Sequence, residues 1–131
     1  MNEKGLTVAL HQKFNKVFNY NGQSIFEIVY EILASCSTRE EVLKVIKSSN
    51  PLTIWGLNFS FANGEVMSVD VNGVDSRIVY EQLTPGKIVY FNNLPVNKGD
   101  PLQEARPYGL HKFCRSREIV MAKKIKKLTK K

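Results

Sequence analysis

The segment TIWGLNFSF, followed by Asn63-Gly64 and then EVMSVDV, constrains this chain more than any other stretch. Asn-Gly accepts the positive φ angles of a type I′ turn, and β-forming runs flank it on both sides. Residues 53–71 are therefore predicted to form a β-hairpin. Trp55, Phe59 and Phe61 alternate along the first arm and read as core side chains. RIVYEQL and KIVYFNN repeat the pattern around Thr84-Pro85-Gly86, another turn former, so a meander of four consecutive antiparallel strands is expected. Asp70 and Asp75 flank a further turn signal at Asn72-Gly73 and read as turn residues.

Upstream, the hydrophobic period is helical. Ile25, Ile28, Val29, Ile32 and Leu33 line one face of an amphipathic helix that should stop near Ser35. Ser37 followed by Glu40 has capping-box spacing, which starts a second helix carrying Val42, Leu43, Val45 and Ile46. That helix ends before SSNP, because the residue preceding Pro51 is pushed out of the α region. GLTVAL, residues 5–10, suits a strand, and HQKFNKVFNYNGQ after it reads as an irregular loop. Residues 94–110 hold three prolines and read as a long loop, with a final helix from about Lys112. Phe113, Ile119, Val120, Ile125 and Leu128 are among the apolar positions of that helix. Strand, two helices, four strands, helix is an α+β order.

At 131 residues the chain fits one domain with its own core. Its net charge of +7 is concentrated in residues 112–131, where Lys112, Arg115, Arg117 and six lysines from Lys123 to Lys131 face a single acid, Glu118. Such a tail attracts polyanions. One reading is therefore a small basic binding module that contacts nucleic acid or an acidic partner. Against nucleic acid, the predicted strands lack the Lys/Arg–aromatic interleaving of a base-stacking surface, and the charge sits at one end. Cys36 and Cys114 are far apart and form no C-x-x-C motif, and His11 and His111 are the only histidines, so no metal-ligand spacing arises. Both cysteines read as structural thiols, and no cofactor motif is present. No run of about 18 apolar residues and no leader-like apolar stretch at the N-terminus occur. As written, the chain reads as soluble and cytoplasmic, with no membrane partner.

Four motifs in order carry a resemblance: NEKGL at residues 2–6, the STREEVLKVIKS helix leading to the WGLNFSFANGEVMSVDV hairpin, YFNNLP, and FCRSREIVMAKKI. Together they resemble the cysteine-type N-terminal-nucleophile hydrolases, namely the choloylglycine hydrolases and the acyl-coenzyme A:6-aminopenicillanate acyltransferase-like enzymes. The resemblance implies part of an αββα sandwich spanning residues 1–131, with the basic helical tail at its end. It also implies cleavage of a small linear amide through a cysteine thioester, with the nucleophile as the first residue of the mature chain.

Neither Cys36 nor Cys114 matches the nucleophile's position. Met1 then reads as an internal methionine of a longer enzyme, and the chain as its C-terminal part, inactive alone. Its expected partner is the missing nucleophile segment or a separately encoded half. Exposed sheet edges would make the isolated chain poorly soluble or homo-oligomeric. The resemblance assigns Asn93 to holding the terminal amine and the tetrahedral intermediate, while Asn92 stands where the family has threonine. Gln12 falls near the family's oxyanion-hole asparagine, and His11 beside it is a polar lining residue or a structural one. Arg117, or Arg115 on a shifted alignment, matches the late arginine that favours the thiolate.

Overall fold

The computed structural model describes residues 1–13, 18–71, 79–83, 93 and 108–128. Over these the chain is a mixed α+β structure: β1 (Thr7–Gln12), α1 (Ile25–Ser35), α2 (Arg39–Ser48), β2 (Trp55–Ser60), β3 (Val66–Val71), β4 (Val79–Leu83) and α3 (Tyr108–Leu128). The strands form one antiparallel sheet in the order β1-β2-β3-β4. Three consecutive strands, β2 to β4, make a meander, and β1 closes its other edge. The fourth meander strand expected over 87–93 lies outside the described residues apart from Asn93, as do the turns at Asn72-Gly73 and Thr84-Pro85-Gly86.

The hairpin forms, but not with the two-residue turn read from Asn63-Gly64. Phe61 and Glu65 close it: the Phe61 N–H donates to the Glu65 carbonyl at 2.9 Å, and the Gly64 N–H donates to the Phe61 carbonyl at 3.0 Å. The loop is thus three residues long, with Gly64 at φ +85, the left-handed region that glycine enters without a Cβ penalty. A two-residue loop would have moved the register by one and turned every following side chain to the other face. With the observed loop, Ser60 faces Val66 and Leu57 faces Val69.

That register decides what the two faces of the sheet carry. Val8 and Leu10 of β1, Leu57 and Phe59 of β2, and Met67, Val69 and Val71 of β3 share one face and pack under α1 and α2. Ile25, Ile28, Ile32, Val42 and Ile46 meet them from the helices. Each fully buried aliphatic side chain contributes about 1.5–3 kcal/mol relative to exposure. Phe59 and Phe61 are buried and stacked at 6.4 Å between ring centroids, whereas Trp55 is only half-buried.

Residues 2–6 have a structural task of their own. The Asn2 side-chain amide donates to the Leu33 and Cys36 carbonyls at 3.0 and 2.8 Å, satisfying acceptors at the end of α1. Its oxygen accepts from the Lys4 and Leu6 N–H groups, so one side chain ties the entry of β1 to α1.

The helix boundaries differ in detail from the sequence reading. The cap of α2 is Thr38 with Glu41, one residue beyond the expected Ser37–Glu40 pair. Both pairs have the same spacing; the backbone is extended at Thr38, whose side chain accepts from the Glu41 N–H, and helical from Arg39. The Ser37 and Thr38 N–H groups donate to Glu41 and lower its carboxyl pKa to about 2. A second capping box, Ser24 with Glu27, opens α1. β1 reaches Gln12 rather than ending at residue 10, so His11 and Gln12 are strand residues and not loop residues. α3 starts at Tyr108, four residues ahead of Lys112, so the last turn of the expected 94–110 loop is helical. No helix among the described residues is long and apolar enough to cross a membrane.

Replacing Thr38 by Ala removes the cap and should lower stability by about 1 kcal/mol in urea unfolding. Ser37→Ala should cost less, and the reverse order would move the cap to Ser37.

Candidate functional site

The sheet face turned away from α1 and α2 is mostly polar, and it is buried where β2 and β3 carry Gly56, Ser68 and Asp70. Strand alternation places Thr7, Ala9 and His11 of β1, Gly56, Asn58 and Ser60 of β2, and Ser68 and Asp70 of β3 on it. Lys13 continues β1 past its last paired residue, its N–H donating to the Ile54 carbonyl at 3.3 Å. Its side chain is 1% exposed, and its Nζ lies 3.3 Å from Asp70 Oδ1, an ion pair almost wholly withdrawn from solvent. Asp70 was expected at a turn; it is instead a buried strand residue, while Asp75 lies outside the described residues.

Gly56 makes the pair possible. A Cβ built there would lie 2.5 Å from His11 Nε2 and 2.6 Å from Lys13 Cε. The missing side chain is the slot through which the lysine crosses β2 from β1 toward Asp70 on β3. His11 takes its orientation from the same strand. Its Nδ1 lies 3.3 Å from the Asn58 side-chain amide nitrogen, and Ser68 Oγ donates to Asn58 Oδ1 at 2.7 Å. With Asn58 donating, Nδ1 is the acceptor and the proton sits on Nε2, which is buried without a hydrogen-bond partner. Burial, and then the Lys13 charge, lower the His11 pKa from 6.5 to about 4, against a smaller opposing pull from Asp70. His11 is therefore a neutral imidazole at neutral pH.

At the end of the sheet where β1 finishes, a second group gathers. The Asn93 side-chain amide donates to the Gln12 carbonyl at 2.7 Å. Arg117 Nη2 donates to Asn93 Oδ1 at 3.1 Å and lies 3.4 Å from Cys114 Sγ, with the guanidinium 4.8 Å above the Phe113 ring. Cys114 is 3% exposed and one turn before Arg117 on α3, so the helix brings both to the same side.

Asn93, Arg117 and Gln12 thus meet at one point. Gln12, however, takes part through its backbone carbonyl, and its side chain lies on the opposite sheet face from His11 and Asp70. Arg115 is turned outward, paired with Glu118 at 2.9 Å, so of the two arginines Arg117 is the one against Asn93. Cys36 is buried at the C-terminal cap of α1, away from this group. Among the described residues no cluster of His, Cys, Asp and Glu is arranged to hold a metal ion. Lys13, Gly56, Asn58 and Ser68 escaped the sequence reading, and Asp70 entered it only as a turn residue. The signal was there: in VMSVDV the two polar residues share one parity, opposite to Met67 and Val69.

Asp70→Asn removes the carboxylate facing a buried ammonium and should cost about 3–5 kcal/mol, measured by urea unfolding. Replacing both partners by apolar residues, Lys13→Met with Asp70→Leu, should recover most of that loss. For His11 the folded pKa is lowered, so its stabilising contribution is complete above about pH 6.5 and is lost as pH falls toward 4. Unfolding free energies of the parent and His11→Gln should therefore converge on acidification across that window, and parallel curves would refute the half-buried neutral imidazole. Comparison with protein-family models, with curated proteins and with solved structures found no match to this chain.

Proposed function

We propose that this chain is the C-terminal part of a cysteine-type N-terminal-nucleophile hydrolase or acyltransferase acting on linear amide bonds. The observation that carries the reading is the contact between Asn93 and Arg117 at the end of β1. Two residues singled out by separate motifs, 24 positions apart, lie within hydrogen-bond distance. The nucleophilic cysteine comes from a further segment, continuous with these residues or separately encoded. Its thiolate attacks the amide carbonyl, the amine leaves with a proton from the terminal ammonium, and water or an acyl acceptor then releases the thioester. Asn93 presents an amide that both donates and accepts, suited to holding the terminal amine and the oxyanion. Arg117 supplies a fixed positive charge at sulfur-contact distance, a geometry it already makes with Cys114.

The polar face of the sheet supports the sandwich that this family implies. α1 and α2 cover one face, and in an αββα arrangement the other packs on a second sheet. Buried Ser68, Asp70 and Lys13 on that face suit a layer whose interior adjoins a reaction site. A second reading, a basic module for a polyanion, rests on α3, where Lys112, Lys123, Lys124 and Lys127 are exposed and the single acid, Glu118, is paired with Arg115.

The test is amide turnover by the chain joined to its nucleophile segment, with the chain alone beside it. Asn93→Ala should lower kcat/KM by about 100-fold or more, the cost of one oxyanion donor. Cys114→Ser should leave turnover in place. Loss of turnover with a correctly folded Cys114→Ser would make Cys114 the nucleophile and overturn the assignment.

A further inference from the structure

The pair that turns the β2–β3 hairpin carries a reactivity of its own. When glycine follows asparagine, no Cβ shields the glycine nitrogen, and that nitrogen can close a succinimide ring on the asparagine Cγ. Asn21-Gly22 and Asn63-Gly64 are both among the described residues, and the fold holds them differently. Gly22 is pressed onto the segment that follows α2: a Cβ built on it would lie 2.6 Å from Leu52 N and Cα. Its N–H donates to the Asn19 carbonyl at 2.8 Å. On either side the Asn19 N–H donates to the Leu52 carbonyl at 2.9 Å and the Gln23 N–H to the Asn50 carbonyl at 2.6 Å. Freeing the Gly22 nitrogen therefore means undoing a whole junction.

Asn63 and Gly64 are exposed at the tip of the hairpin, and a Cβ on Gly64 would meet nothing within 4 Å. The Gly64 N–H is held by a bond inside the loop, to the Phe61 carbonyl at 3.0 Å. That bond can open while the ladder stays intact, because strand pairing begins at Ser60 and Val66 and the Phe61–Glu65 bond closes the loop above them. The electrophile is prepared as well. The Glu65 N–H donates to Asn63 Oδ1 at 3.0 Å, and this is the oxygen that gains negative charge when Cγ is attacked.

We infer that Asn63 is a site of spontaneous deamidation, and that its conversion to isoaspartate destabilises the hairpin. Hydroxide takes the Gly64 amide proton, and the nitrogen attacks Asn63 Cγ. The bond from Cγ to the side-chain nitrogen breaks, and that nitrogen leaves as ammonia with a proton from water, which returns the hydroxide. Water then opens the succinimide. Cleavage at Cγ gives aspartate on an ordinary backbone, and cleavage at the main-chain carbonyl carbon gives isoaspartate, with the chain running through Cβ and Cγ. Isoaspartate lengthens the loop by a backbone carbon and makes the oxygen that accepts from Glu65 a main-chain carbonyl. The loop then no longer matches the register that faces Ser60 with Val66, on which both sheet faces depend.

The full chain is aged at mildly alkaline pH and digested, and isoaspartyl carboxylates are labelled by an isoaspartate-specific methyltransferase with a labelled methyl donor. Label should enter the Asn63 peptide at least about tenfold faster than the Asn21 peptide. In a chain aged in urea, with both pairs unfolded, the two rates should be equal. Equal rates in the folded chain, or a faster Asn21, would overturn the site. The aged chain should also unfold at a lower urea concentration than the fresh one. Asn63→Ser keeps a side-chain oxygen for the Glu65 N–H and has no carbonyl carbon to attack, so it should take no label there and keep its midpoint. An equal fall in the parent and Asn63→Ser would place the damage elsewhere and overturn the link to the hairpin. Asn63→Asp, measured fresh, should unfold as the parent does. A midpoint as low as that of the aged chain would assign the loss to the new charge and overturn the isoaspartate step.

Discussion

The register of the β2–β3 hairpin is the constraint on which the rest of the described structure depends. Gly64 takes a positive φ, and the loop closes at Phe61 and Glu65 instead of Ala62 and Glu65. That single residue of difference sends Leu57, Phe59, Met67 and Val69 to the helices and Gly56, Asn58, Ser68 and Asp70 to the other face. A slipped hairpin would bury an aspartate among isoleucines and expose the apolar set to solvent. The free energy difference between those registers is several buried side chains wide, so the turn and the hydrophobic pattern enforce each other.

The two sheet faces then divide the labour. One holds the molecule together through α1 and α2, with Asn2 closing the end of α1 onto the start of β1. The other concentrates groups that are costly to bury: an ammonium, a carboxylate, an imidazole and a serine hydroxyl. The contact between Lys13 and Asp70 depends on Gly56, which leaves the room that Lys13 needs to reach across β2. A buried ion pair of this kind gives little net stability, because desolvation offsets most of the attraction between the charges.

Much of this was legible in the order of residues. The α1 stripe, the hairpin, the α+β class and the basic final helix follow from spacing, since periods of 3.6 and 2 are imposed by backbone geometry whatever the neighbours. Boundaries were less legible. Ser37–Glu40 and Thr38–Glu41 have identical capping spacing, so the spacing alone does not say which of them opens the helix, and the structure has Thr38. The start of α3 at Tyr108 and the extension of β1 to Gln12 likewise depend on neighbours that a local reading does not see.

The site divides along the same line. Motif likeness singled out Asn93 and Arg117, and the resemblance implied the tasks to which an amide and a guanidinium are suited. It did not distinguish Arg117 from Arg115, because that choice is made by which side of α3 faces Asn93. Nor did it find the Lys13–Asp70 pair, whose members are 57 residues apart and meet only because β1 and β3 flank a glycine on β2. The sequence by itself determined which segments are helix and strand and which side chains are apolar, because those are local properties of the chain. Which polar residues are buried together, and which aromatic ones are left facing solvent, only the tertiary structure decided, because strand register and helix docking bring distant residues onto one face.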